Sequence, residues 1–519
     1  MITGISIENF KGVRDRIHLG LRPITLLFGA NSAGKSTVTD ALNFFESVLT
    51  AGSATFRDLT AAENGDARNE LSFERLVHNH DLSQVMRLGV ECELTQGDRN
   101  VSVNSMEDTA SSSDWGGPTS YEISLPDEFR SISIEFEISS ILDGRDHATS
   151  RTGFLRGFTV SYNDEPMVHV VDRRQKHGHL NGYEWTADLN HPLLSEIDQS
   201  GEIQFSNIHH RIIADDHDPP LKDGFYQAFS EQEEIPSDPA ATFLNAFVLK
   251  AFRTLKLRLS QRRTIGGIRD IPHRDSIPMP CNTSMRWSNG LAAWDYLAHC
   301  DRRSLDKVNY WLGSERLGAR YQLKQRVLVD FQDCVDHVRA FEQHEDPARM
   351  QSHFELQHRS ERRIGLVPEY DQFHDESPFL HPSEVGTGLS QIIPVIVACI
   401  HPDPCFSSIA QPDLHLHPRL QSELGDLFIH SFNTDQRNRF LLETHSEHLI
   451  LRILRRIRET HAGTVREELK IATDDLAIYY ISQDKGFTQI QMIEADVRGE
   501  FIQPWPDDFF ELDFYERFG

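Results

Sequence analysis

Cysteine pairs, long apolar runs, a cationic excess and sustained heptads are all missing from this chain. Its six cysteines (Cys92, Cys281, Cys300, Cys334, Cys399 and Cys405) are scattered without a C-x-x-C pair, which excludes a zinc knuckle and a disulfide framework. No run approaches the roughly 20 apolar residues of a membrane helix. Met1-Ile2-Thr3-Gly4 has neither a basic opening nor a cleavage site, so a cytoplasmic chain with no membrane contact is expected. The formal net charge is −27, whereas a surface that coats nucleic acid indiscriminately needs the opposite sign; any DNA contact must be local. The absence of heptads excludes long coiled-coil arms. What remains is an ordinary composition, 39% hydrophobic and 25% charged over 519 residues, a length that calls for two to four structural units.

The stretch Gly29-Ala30-Asn31-Ser32-Ala33-Gly34-Lys35-Ser36-Thr37 fits G-x-x-x-x-G-K-[ST]. An apolar run, Ile24-Thr25-Leu26-Leu27-Phe28, precedes it and residues 38–45 follow with helical spacing, giving strand, phosphate loop and helix. The glycines let successive N–H groups point at one anion, and the helix aims its positive dipole end at the same place. Lys35 brings a mobile charge for β- and γ-phosphates, and the Ser36 hydroxyl is placed to ligate Mg2+.

Along the chain, residues 3–10 alternate apolar and polar and read as the first strand of the ATPase sheet. Residues 84–94, 121–125 and 131–138 read as antiparallel strands extending that sheet. Strand candidates at 157–162 and 167–171 follow among polar segments, and the spacing turns helical from Pro239, again over 291–297 and over 305–312. Seven cations, Arg253, Lys256, Arg258, Arg262, Arg263, Arg269 and Arg274, have only Asp270 and Asp275 close by to offset them. They read either as a local DNA contact or, preferred here, as a helical face and loop that pair with acidic neighbours.

A second cluster of chemistry begins near residue 380. Glu384-Val385-Gly386-Thr387-Gly388-Leu389-Ser390-Gln391 opens an apolar helix over 392–400. A strand over 405–409 runs into Ala410-Gln411-Pro412-Asp413-Leu414-His415-Leu416-His417-Pro418, and another over 439–442 meets Glu443-Thr444-His445-Ser446 at the head of a helix. Asp413, His415 and His417 lack a further nitrogen or sulfur ligand nearby, so they read as structural rather than metal-binding.

On these motifs, together with Glu8-Asn9-Phe10-Lys11-Gly12, residues 264–313 and Trp505-Pro506-Asp507-Asp508-Phe509-Phe510, the chain resembles the ABC-type ATPases of the SMC, RecF and OLD kind. In particular it is similar to their short-armed prokaryotic relatives, AAA-type ATPases of anti-phage defence loci. The resemblance implies an α/β fold: an ABC-ATPase-like P-loop nucleotide-binding domain with a mixed sheet, interrupted by an α+β insertion without long coiled coil. Residues 1–140 would be the N-terminal half of the ATPase domain, 141–375 the insertion, 376–490 the C-terminal half and 491–519 a small C-terminal domain. ATP and Mg2+ are the implied cofactors. In this family two domains sandwich two ATP molecules, so Gly386, Gly388 and Ser390 would reach the γ-phosphate bound by the opposing subunit, and the site is complete only in a homodimer or higher homo-oligomer. His445, beside Glu443, matches the switch histidine that senses that phosphate.

One departure concerns hydrolysis. Relatives carry an acidic residue where Ala410 stands, at the strand end that reaches the Mg2+ shell, and Gln411 takes the place of the glutamate that polarises the attacking water. Alanine cannot accept a hydrogen bond from metal-bound water or balance the metal's charge, and losing general-base help costs ~10²–10⁴ in rate. The chain is therefore expected to bind ATP and hydrolyse it poorly, as a substitution, introduced or natural, that freezes the ATP-bound state would have it. The function this implies is a sensor or switch for a separate effector, a nuclease, in prokaryotic immunity. No TOPRIM-like carboxylate cluster follows the ATPase, and His78-Asn79-His80 is too short and isolated to be a nuclease site. The alternatives are a RecF- or SMC-like DNA-binding repair ATPase that uses the Arg253 to Arg274 cations, and a non-catalytic scaffold whose ATP is structural.

Overall fold

The computed structural model describes residues 1–51, 56–57, 70–71, 73–105, 119–125, 127–140, 153–172, 183–187, 191–192, 211–212, 239–279, 283–328, 361–369 and 378–505. They form two compact units. The first takes Met1–Arg22, Leu27–Arg262 and Ala477–Met492; the second takes Pro23–Leu26, Arg263–Leu476 and Ile493–Gly519.

An eight-stranded sheet dominates the first unit. From one edge its order is Ile17–Gly20, Ile2–Glu8, Met86–Glu93, Ser131–Ser140, Gly153–Tyr162, Glu165–Asp172, Tyr183–Ala187 and Arg211–Ile212, every neighbouring pair antiparallel. Ile132, Ile134, Phe136 and Ile138 are buried at alternate positions, the pattern of a sheet with one covered face. Helices Ser36–Ala51 and Pro239–Ser260 cover it: the Phe45 ring lies 4.6 Å from Phe136, and Phe252 lies 5.2 Å from Phe158. Tyr162 donates its hydroxyl to the Phe247 carbonyl at 3.1 Å, so this buried hydroxyl is satisfied.

Two expectations about this sheet are corrected. Residues 3–10 form a strand, but Ile2–Glu8 belongs to the antiparallel sheet and the phosphate-loop strand Ile24–Gly29 does not. Ile24–Gly29 is buried at every residue, which needs cover on both faces; the half-polar Ile2–Glu8 needs it on one. Residues 121–125 do not extend the sheet either. Thr119–Ser124 pairs with Asn100–Ser105 in a separate two-stranded ribbon, because a partner close in sequence closes the shorter loop. The pairing of Ser131–Ser140 with Gly153–Tyr162 carries this unit across residue 140.

The phosphate-loop strand gives Leu27 to Gly29 to the first unit, where it lies beside Leu476–Asp484, which in turn neighbours Phe487–Ile493. The second unit holds three parallel strands in the order Arg263–Ile265, Phe406–Ala410 and Arg439–Thr444, and Phe440 N–H donates to the Pro23 carbonyl at 2.8 Å. Parallel strands need long crossovers, which here carry the helices Thr387–Ile400 and Pro418–Thr434, while Glu447–His461 follows the last strand. Across the last two, Asp426, fully buried, accepts from Arg452 at 2.8 Å and Arg456 at 2.6 Å. The longest helix among the described residues is Pro239–Ser260, 22 residues, so the α/β fold carries no long coiled coil there.

Candidate functional site

The phosphate loop leaves the strand Ile24–Gly29 and enters the helix Ser36–Ala51. Its backbone takes φ +153° at Gly29 and +102° at Gly34, values that only glycine adopts without cost, and the left-handed +62° at Ser32, a curl that turns N–H groups toward one point. Contact also demands these glycines. A Cβ on Gly29 would strike the Ile481 carbonyl, and one on Gly34 would lie 2.6 Å from Thr488 Oγ1. Lys35 is only 6% exposed, and its Nζ donates to the carbonyls of Gly29 at 3.0 Å and Ala30 at 2.7 Å. A largely desolvated ammonium resting on neutral oxygens gains by exchanging them for an anionic phosphate. Ala30, Asn31, Ser32 and Ser36 are exposed, whereas Ala33 and Thr37 are buried; the loop is thus open along the rim where a triphosphate and its metal would meet it.

What holds the loop comes from far along the chain. Thr488 donates its hydroxyl to the Ala33 carbonyl at 3.3 Å and its N–H to the Gly12 carbonyl at 2.8 Å, and Gln483 Nε2 donates to the Ser32 carbonyl at 3.1 Å. Sequence reasoning recognised the hairpin but not this duty, because no local pattern encodes which strand a loop will lean on.

In the second unit the other motifs come together. Ala410, ending Phe406–Ala410, lies opposite Glu443 in parallel register. Gln411 turns with φ +45° and its N–H donates to the Glu443 carbonyl at 2.7 Å. Thr444 donates to Asp413 at 2.6 Å and accepts from the Ser446 N–H, while Ser446 donates to Gln421 at 2.7 Å and caps the helix Glu447–His461. His445 is therefore presented between two side chains that are both tied down. Asp413 is occupied by Thr444, and His417 caps the helix Pro418–Thr434 by accepting from Arg419 N–H, which fits the structural reading of both. Among the described residues no three His, Cys, Asp or Glu side chains form a metal cluster.

Gly386 is exposed at the start of the helix Thr387–Ile400, and Gly388 faces the His415 carbonyl, which a Cβ would approach to 2.7 Å. Ser390 is 1% exposed and donates its hydroxyl to Thr387 at 3.0 Å, so it would have to release that carbonyl to greet a phosphate. Sequence reasoning gave Arg269 no role in this site. Its guanidinium donates to the carbonyls of Ala410 at 2.7 Å and Gln411 at 3.2 Å, and burial pushes it down to about 10.

Four more of the seven cations are committed within the protein. Arg258 pairs with Asp98, Arg262 with Glu46 at 2.7 Å, and Arg274 with Glu384 at 2.7 Å. Arg263 donates to His401 Nδ1 at 2.7 Å, and burial together with that guanidinium pushes His401 down to about 4. His78 is buried with Nδ1 2.9 Å from the Lys11 carbonyl, and the exposed His80 sits 2.6 Å from that of Glu74: each ring is held by a backbone carbonyl. Of the C-terminal motif only Trp505 is described, its ring 4.8 Å from Phe501; residues 506–510 lie outside the described residues.

Residues 1–140 match the AAA ATPase domain family. Among solved structures the chain is similar to an SMC head bound to the C-terminal winged-helix domain of ScpA, at 10% identity over 95% of this chain and 97% of that one, with a TM-score of 0.39. It is similar to the SMC head domain from Thermotoga maritima at 9% identity over 95% and 99%, TM-score 0.33. A third is the SMC head with an extended coiled coil bound to the C-terminal domain of ScpA from Pyrococcus furiosus, at 11% identity over 99% of each chain, TM-score 0.38. No curated protein sequence matches the chain.

Proposed function

We propose that this chain is an SMC-like ATPase that binds ATP with Mg2+ at residues 29–37, closes as a homodimer around it, and so switches a separate effector, a nuclease, in anti-phage defence. The observation that carries the reading is the Lys35 ammonium, buried and held by two loop carbonyls inside a backbone already curled for an anion. Lys35 takes the β- and γ-phosphates and Ser36 the metal, which when bound neutralises charge on the phosphoryl oxygens. Gly386, Gly388 and Ser390 reach the phosphate held by the other copy, with His445 as its sensor. Ala410 and Gln411 leave the attacking water without a carboxylate, so the ATP-held state is long-lived, which suits a switch more than a pump.

Five of the seven cations that a DNA-binding repair ATPase would use have partners inside the protein, which weighs against that alternative. The defence role rests on the sequence resemblance. Titration with a fluorescent ATP analogue tests the core of the reading: Lys35→Ala should weaken binding by about tenfold or more, the loss of a charge-assisted contact. Co-purification from the native operon should then return a second polypeptide with nuclease activity. Cleavage of DNA or RNA by the isolated chain with metal alone would overturn the assignment.

A further inference from the structure

Arg269 is 2% exposed and touches two elements at once. Its backbone N–H donates to Gln391 Oε1 at 2.9 Å, its carbonyl accepts from Gln391 Nε2 at 2.6 Å, and its Nη1 donates to the Gln391 carbonyl at 3.2 Å. From the same guanidinium, Nη2 donates to the carbonyls of Ala410 at 2.7 Å and Gln411 at 3.2 Å. Nε is buried without a partner, and Asp413 is the carboxylate whose field reaches the group. Gly290, at φ +82°, packs directly against the arginine: a Cβ there would lie 3.0 Å from Arg269 Cβ.

We infer that Arg269 is a positioning residue that couples the first turn of the helix Thr387–Ile400 to the turn after the strand Phe406–Ala410, so that the segment reaching the other copy's phosphate and the segment facing the attacking water open and close together. Three features carry this. Gln391 follows Ser390 directly, and both ends of its amide are spent on the Arg269 backbone. Gln411 holds a positive φ and is gripped from both sides, its N–H by Glu443 and its carbonyl by Arg269. The planar fork of arginine holds donors in a fixed geometry that spans acceptors on two elements, which the compact ammonium of lysine on its flexible stem does not reproduce. A charged hydrogen bond buried at low dielectric is strong when complete and costly when half broken, so intermediate arrangements are disfavoured.

The inference rests on the function proposed above, and hydrogen exchange on the full-length chain separates the two. Without nucleotide, Arg269→Lys should speed exchange of the amides in 389–393 and 411–416 by about tenfold in both segments, leaving 29–37 unchanged, as expected for losing a charged hydrogen bond. With ATP and Mg2+, the wild-type chain should protect 29–37 and 389–393, while Arg269→Lys keeps the first protection and loses the second. Gln391→Ala, which removes the amide clamp on the Arg269 backbone and leaves the Nη1 bond to the residue-391 carbonyl, should loosen both segments as well and serves if the arginine variant does not fold. Acceleration confined to one segment, or none, overturns the coupling. If ATP protects neither segment in the wild-type chain, the proposed function fails and the nucleotide-free comparison still decides the coupling.

Discussion

Thr488 is where the phosphate loop is most exposed to a single change. Valine there keeps the shape and the backbone bond to Gly12 but deletes the donor to the Ala33 carbonyl. A neutral hydrogen bond contributes about 1 kcal/mol, so Thr488→Val should weaken ATP binding about fivefold with little loss of thermal stability; an unaltered affinity would mean that the hairpin does not hold the loop. At the other end of the chemistry, Ala410→Glu combined with Gln411→Glu should raise phosphate release by ~10²–10⁴, whereas a scaffold with structural ATP gains nothing. These sites differ in how well the sequence announced them. Lys35 and Ser36 are legible because a phosphate loop is local, its glycines and lysine fixed by the spacing of one turn. Thr488, Gln483 and Arg269 are not, because each acts on a residue brought near only by strand order or by helix packing.

Helix pairs carry their own liabilities. Asp426 joins Pro418–Thr434 to Glu447–His461 through Arg452 and Arg456, all in the second unit. Removing this buried carboxylate breaks both pairs, but Arg452 keeps Glu423 and Arg456 keeps Glu459, so Asp426→Ala should lower the urea midpoint by the equivalent of about 3 kcal/mol, the low end for a broken buried pair; a loss under about 1 kcal/mol would place the pair with solvent-screened bridges. At the C-terminal end of Thr387–Ile400, His401 Nδ1 accepts from Arg263 and from the Asp403 N–H, so this nitrogen is unprotonated in the folded chain. With the folded value lowered to about 4 from 6.5, the unfolded chain takes up a proton that the folded one refuses. Stability should therefore fall as pH drops from about 6.5 toward about 4, by at most about 3 kcal/mol. His401→Gln keeps an acceptor and should flatten that limb of the denaturation profile; an unchanged slope would assign it to other groups. Element types were legible from periodicity, as at 305–312, where the helix Arg302–Leu312 buries Leu305, Val308, Trp311 and Leu312. Sheet membership was not, since alternation in Ile2–Glu8 tells which face is covered but not which strand lies alongside.

For the whole chain the dominant physical fact is a net charge of −27, which, on the proposed function, two copies would carry into one another's field on closing around ATP. Like-charged bodies repel across a distance set by the Debye length, ~10 Å at 0.1 M salt and shorter above it. Screening should therefore favour the ATP-bound dimer: its fraction in sedimentation velocity should rise between about 50 mM and about 300 mM NaCl, with Mg2+ and ATP held saturating. A chain whose main ligand is DNA behaves the other way, because displaced counterions make its binding weaker as salt increases. The two readings thus predict opposite salt dependences, one for self-association with ATP and the other for DNA binding. Association that appears without ATP, or that salt dissolves, would mean that copies meet through complementary charge rather than through the shared phosphates, and the nucleotide would then lose its place as the switch.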